Sequence, residues 1–120
     1  MEIRGFFEDG MAHVSLRVEN EEFRALVDTG YDGFIMLPLK KIAQLKLREL
    51  FKSTYLTADG KVHEGRMYRG HVDWFGAARE IPVDSTEGDF TLIGMKLLHP
   101  LKLEMEPAKQ LLALSGPDSA

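Results

Sequence analysis

Apolar and polar residues alternate with a period of two along much of this chain. In MAHVSLRVEN, Val14, Leu16 and Val18 alternate with Ser15, Arg17 and Glu19, which predicts a half-buried strand. Glu8-Asp9-Gly10 separates this run from the preceding strand EIRGFF, and Asn20-Glu21 turns it into the next, EFRALV. That strand ends at Asp28, and after a short polar interval the chain resumes as the apolar run Phe34-Ile35-Met36-Leu37. Beyond it Pro38 occupies a first helical position, and Leu39, Ile42 and Leu45 recur at a spacing of three, predicting one short helix.

The second half continues in the same manner. In STYLTADGKVHEGRMY, Asp59-Gly60 is the dipeptide favoured in a tight hairpin turn whose two central residues take positive φ, so a mostly exposed two-stranded ribbon is expected there. GHVDWF, REIPVDS and FTLIG read as further strands, MKLLHP as a helical turn, and LKLEMEPAKQLLALS as a last hairpin around Glu106-Pro107-Ala108-Lys109. The expected fold is all-β with one or two short helices, a single domain over residues 1–115 and a loose tail over 116–120.

Composition narrows the functions open to such a fold. With 120 residues, 44% hydrophobic and 28% charged, there is material for one core. The net charge is -4 and the 15 Lys and Arg are scattered, which argues against a nucleic-acid partner. No apolar run approaches the roughly 18–20 residues of a membrane span, and the first residues lack signal-peptide character, so no membrane association and a cytoplasmic location are expected. The absence of cysteine excludes disulfides and thiolate chemistry. His13, His63, His71 and His99 show no metal-ligand spacing, and no phosphate-loop or nucleophile-elbow motif occurs.

The candidate chemistry lies at Asp28. A carboxylate following a buried strand loses hydration and needs hydrogen bonds or a cation to restore its charged form. Thr29 offers a hydroxyl and an N–H, and Gly30 permits a sharp turn and close approach of another segment. Taken alone, Asp28-Thr29-Gly30 reads equally as an ordinary turn.

The ordered set Leu26-Val27-Asp28-Thr29-Gly30, the apolar strand and Pro38, the Asp59-Gly60 hairpin and Leu92-Ile93-Gly94 ahead of a helical turn resembles the retropepsin-like aspartic proteases, the family of retroviral proteases and small bacterial relatives. The resemblance spans about residues 10 to 115 and implies the retropepsin-like half-barrel and hydrolysis of peptide bonds by two carboxylates sharing a proton. This chain has one Asp-Thr-Gly, so the implied enzyme is a homodimer with one Asp28 from each subunit, acting on a peptide or protein substrate with no metal or organic cofactor.

By the same resemblance Thr29, Gly30 and Gly94 support the catalytic loop, Gly94 by packing behind it. Tyr31, Asp32, Gly33, Ala58, Asp59 and Gly60 are implied to contact substrate, although Asp32 reads equally as a solvent-exposed turn acid. The hairpin from Tyr55 to Tyr68 corresponds to the flap, and its TADGKV tip is more polar than those of retroviral enzymes. Met95 stands where retroviral enzymes carry an arginine that forms an ion pair at the dimer interface. The alternative is a catalytically inactive peptide-binding or dimerisation module, because a fold does not fix a function.

Overall fold

The structure is a computed structural model and describes residues 1–116, apart from the side chains of Ser53 and Tyr55. The tail expected over 116–120 lies outside the described residues from 117 onward. The strands are β1 (Glu2–Arg4), β2 (Phe6–Glu8), β3 (Met11–Val18), β4 (Glu21–Val27), β5 (Ile35–Pro38), β6 (Arg48–Leu56), β7 (Val62–Trp74), β8 (Ala77–Thr86), β9 (Leu92–Ile93), β10 (Lys102–Glu106) and β11 (Leu111–Ser115). Two short helices, α1 (Leu39–Leu45) and α2 (Met95–Leu98), and one 3-10 turn, Pro107–Lys109, complete an all-β fold.

Eight strands form one sheet in the order β2-β3-β4-β9-β5-β8-β7-β6, and an additional pairing of β3 with β7 curls it back on itself. The remaining three form a second sheet, β1-β11-β10. The alternation read in MAHVSLRV appears directly, with Ala12, Val14, Leu16 and Val18 buried. They pack in one core with Phe23 and Ala25 of β4, Ile35 and Leu37 of β5, Val72 and Trp74 of β7, Val83 of β8, Ile93 of β9, Leu97 of α2 and Leu114 of β11.

Several boundaries differ from the sequence expectations. EIRGFF is two strands in different sheets, joined at Gly5, where a Cβ would lie 2.3 Å from the His13 carbonyl oxygen and 2.5 Å from Leu112 Cδ2. The turn expected at Asn20-Glu21 is one residue earlier. Glu19 and Asn20 both take positive φ, as do Asp9-Gly10 and Phe75-Gly76, so each pair joins its strands with the twist-matched two-residue hairpin. Helix α1 starts at Leu39, with Pro38 ending β5 and capping the helix, and it stops at the left-handed Lys46. Of its apolar positions only Ile42 is fully buried; Leu39 is exposed.

The largest difference is strand length. GHVDW, without the Phe75 that follows, belongs to the same 13-residue strand as the returning arm of the hairpin. Gly70 therefore does not break the strand; a Cβ there would meet Val83 Cγ2 at 2.7 Å, so its role is close packing of β7 on β8. RELFK, read as no element from sequence, extends the other arm. From Tyr68 onward every second residue of β7 is buried, whereas the hairpin end exposes Phe51, Leu56 and Val62.

Strand β9 is the keystone of the core. Leu26 and Val27 pair with it in parallel on one side, and Ile35 and Met36 antiparallel on the other. We expect Ile93→Ala, which empties a fully buried site between two strands, to cost about 2–5 kcal/mol of stability. Urea unfolding measures this as a lower midpoint at unchanged slope.

Candidate functional site

The position of Asp28 follows from this threading. As the residue after β4, it donates its N–H to the Ile93 carbonyl at 3.0 Å, which anchors the loop start to β9. The loop then folds over itself, with Tyr31 N–H donating to the Asp28 carbonyl at 3.2 Å and Gly30 N–H donating to Asp28 Oδ1 at 2.9 Å. Asp28 is half-buried, while Thr29 and Gly30 are exposed. A carboxylate with a backbone donor and an open side is held in place yet accessible to a reactant.

The far side of the loop is clamped by the segment after β9. Gly94 N–H donates to the Phe34 carbonyl at 3.0 Å, Met95 N–H to that of Tyr31 at 2.8 Å and Lys96 N–H to that of Gly33 at 3.1 Å. A Cβ on Gly94 would lie 2.5 Å from the Gly33 oxygen and 2.6 Å from the Tyr31 oxygen, a separation that real side chains do not reach. Backbone approaches backbone here, and only glycine permits it.

In front of the loop is a cleft of about 620 Å³. Asp28, Gly30 and Tyr31 border it together with Met36, Leu39, Phe90 and Leu92. The hairpin contributes Leu56, Thr57, Ala58 and the run His63 to Arg66, and the end of β8 with the segment that follows contributes Ser85 to Gly88. The hairpin tip reaches the loop, since a Cβ on Gly30 would sit 3.5 Å from Ala58 Cβ. Leu39, Leu56 and Phe90 are 42%, 50% and 47% exposed, which makes the cleft an apolar surface open to a ligand.

Of the residues singled out from sequence, the structure brings Asp28, Gly30, Tyr31 and Ala58 to this cleft; Thr29, Asp32, Gly33, Asp59, Gly60 and Gly94 are not among its lining. Tyr31 touches the cleft, but its side chain is directed inward: the residue is 3% exposed and its hydroxyl donates to Asp84 Oδ2. Asp32 is exposed. The sequence assigned no site role to Asp84, an acid inside the apolar strand IPVDST, or to the cleft residues His63, Arg66 and Glu87, which carry no motif. Among the described residues no three His, Asp or Glu side chains are grouped to hold a metal ion, and no helix is long and apolar enough to cross a membrane.

The hairpin turn differs from the two-residue form. Gly60 has φ 82°, but Asp59 is not among the residues with positive φ. Gly60 N–H donates to the Thr57 carbonyl at 3.0 Å and Thr57 N–H to that of Lys61 at 3.1 Å, closing a longer turn. The Asp59 carboxylate holds it, accepting from the Thr57 hydroxyl and, at 3.0 Å, from Lys61 N–H.

No family model matches the chain, and no curated protein matches it. Solved structures do. A retropepsin-like aspartic protease from Rickettsia conorii is 28% identical with a TM-score of 0.69, over 95% of this chain and 89% of that one. The EIAV protease complexed with the inhibitor HBY-793 is 16% identical with a TM-score of 0.63, over 74% and 86% of the two chains. The retroviral protease-like domain of Ddi1 from Leishmania major is 11% identical with a TM-score of 0.55, over 92% and 98%. The chain thus has the retropepsin-like fold, and its structural neighbours include aspartic proteases.

The Thr57 hydroxyl, then the Lys61 amide, hold the Asp59 carboxyl below its ordinary value. Its folded pKa is depressed, so its contribution to the turn is fully present above the unfolded value and is lost as pH falls through the folded one. Carboxyl NMR titration is expected to give a midpoint below that of the same group in the unfolded chain, and Thr57→Val is expected to move it back toward the ordinary value.

Proposed function

We propose that this protein is an aspartic endopeptidase that works as a homodimer, with Asp28 of each subunit forming the catalytic pair. The observation that carries the reading is the setting of Asp28: a half-buried carboxylate, fixed by the Gly30 amide, at the border of an apolar cleft whose other side is a long hairpin. The fold and its neighbours support the same chemistry.

Peptide hydrolysis needs a base to activate water and an acid to polarise the carbonyl and protonate the leaving amine. Two adjacent carboxyls supply both roles, because like charges at close range cannot both ionise and the pair retains one proton. The ionised member takes a proton from water as its oxygen attacks the peptide carbon. The protonated member hydrogen-bonds the carbonyl oxygen, and collapse of the tetrahedral species passes a proton to nitrogen as the C–N bond breaks. One chain has one such acid, so the pair requires two copies. Thr29 and Gly30 are exposed beside Asp28, as residues that meet a second loop across a two-fold axis would be.

Substrate is an extended peptide lying between the Asp28 loop and the hairpin. Met36, Leu39, Leu56, Phe90 and Leu92 suit apolar side chains. Closure of the hairpin excludes water from the reacting bond.

A second reading, a peptide-binding or dimerisation module without catalysis, draws on Met95, which is 40% exposed where the retroviral enzymes use an arginine between subunits.

Cleavage of a mixed peptide library, read by mass spectrometry at several pH values, tests the proposal. Wild-type protein is expected to cut at acidic to near-neutral pH and to lose activity as both acids ionise. Asp28→Asn is expected to lower kcat/KM by about three orders of magnitude or more while unfolding normally in urea. Retained cleavage in that variant excludes the mechanism, and a wild-type protein that remains strictly monomeric at high micromolar concentration excludes the dimer.

A further inference from the structure

Behind the Asp28 loop lies a polar pair that peptide hydrolysis as described does not use. Asp84 of β8 is 4% exposed and Tyr31 is 3% exposed, and the tyrosine hydroxyl donates to Asp84 Oδ2 while lying 3.1 Å from the Ile35 carbonyl oxygen. Space for the pair is provided by two glycines. A Cβ on Gly33 would lie 2.3 Å from Tyr31 Oη and 2.7 Å from Asp84 Oδ2, and a Cβ on Gly94 would lie 2.5 Å from Tyr31 Cδ2.

A buried carboxylate is costly to desolvate, and an apolar residue of similar size would serve core packing without that cost. Its benefit is directional. The hydroxyl it holds is at the end of a rigid side chain, whose backbone N–H donates to the Asp28 carbonyl at 3.2 Å and whose carbonyl accepts from Met95 N–H at 2.8 Å. Asp84 itself is in register with Met36 of β5 and Met67 of β7, strands already bound into the central sheet. A displacement of the Tyr31 ring therefore transmits to the peptide that carries Asp28.

We infer that Asp84 is a positioning residue: through the Tyr31 hydroxyl it fixes the orientation of the Asp28 loop against the sheet. The role in catalysis rests on the protease reading; the role in loop order does not.

The test uses Asp84→Leu, which removes the acceptor, Asp84→Asn, which keeps a carbonyl acceptor without the charge, and Tyr31→Phe, which removes the donor alone. Asp84→Leu and Tyr31→Phe are expected to lower kcat about 10- to 100-fold with KM within about two-fold, the size of loss that small misplacement of a reacting group produces. Asp84→Asn is expected to restore most of the rate lost in Asp84→Leu, and the double variant Tyr31→Phe with Asp84→Leu to be no slower than the worse single one.

Amide hydrogen exchange provides the readout independent of cleavage. Residues 28–31 and 94–96 are expected to exchange faster in Asp84→Leu and Tyr31→Phe, and near the wild-type rate in Asp84→Asn, with β3 unchanged in all three. Exchange that rises uniformly over the chain, or an Asp84→Asn variant as impaired as Asp84→Leu, overturns the inference. If Asp84→Leu does not fold, Tyr31→Phe carries the same test. A wild-type protein that cleaves nothing sinks the protease reading instead, and the exchange pattern still decides whether Asp84 orders the loop.

Discussion

Strand β9 is two residues long and is paired along both edges, and the site depends on that double pairing. Backbone N–H and C=O groups in a core must find partners, so a strand inserted between two others is tolerated only where both neighbours supply a matching ladder. Here β4 supplies a parallel one and β5 an antiparallel one. The ladder continues past both strand ends, through Leu26 N–H to the Thr91 carbonyl at 2.9 Å and Gly94 N–H to that of Phe34 at 3.0 Å. The loop between β4 and β5 is thus held at both ends and clamped from behind. An acid in an unsupported loop would sample many positions, whereas this one follows a strand paired to β9, whose Ile93 is fully buried.

The same economy of support extends to the cleft. Strand β7 belongs to the core from Tyr68 to Trp74 and to the hairpin before that, so the hairpin is the projecting end of a core strand. Its base inherits the register of β8, and its tip is organised by Asp59 and Thr57. Rigidity at one end and a side-chain-held turn at the other are compatible with the closing role proposed for the hairpin.

Electrostatics at the loop divide between an outer and an inner carboxyl. Asp28 is half-buried and meets a backbone amide, while Asp84 is almost wholly buried and meets a phenol. The first environment leaves a side open for a reactant. The second is closed, and a group there can act only through what it touches. Two acids at one loop can therefore serve reaction and geometry separately, because exposure determines which of them a reactant can reach.

The periodicity of the chain was enough to determine the strand-rich class, since alternation such as Val14, Leu16 and Val18 has a single burial outcome once one face is covered. Pro38 with the spacing of Leu39, Ile42 and Leu45, the run MKLLHP, and Glu106-Pro107-Ala108-Lys109 likewise marked the two short helices and the terminal hairpin. The combination of Asp28-Thr29-Gly30 with Leu92-Ile93-Gly94 pointed to the loop and to the glycine packed behind it, because close backbone approach leaves a residue-type signature. Local sequence could not reveal that EIRGFF divides between two sheets at Gly5, that Gly70 lies within one long strand, or that the Asp59 turn is held by side chains. The first two depend on what lies across the chain, Leu112 at Gly5 and Val83 at Gly70, whereas the bonds of Asp59 to Thr57 and Lys61, each two residues away, replace the turn that the Asp-Gly dipeptide favours. The pairing of Tyr31 with Asp84 was least legible, as 53 residues separate a tyrosine read as a cleft wall from an acid read as part of a strand. The parallel register of β5 with β8 places Asp84 opposite Met36, near the loop that carries Tyr31, and such long-range registry is decided by the packing of the whole sheet.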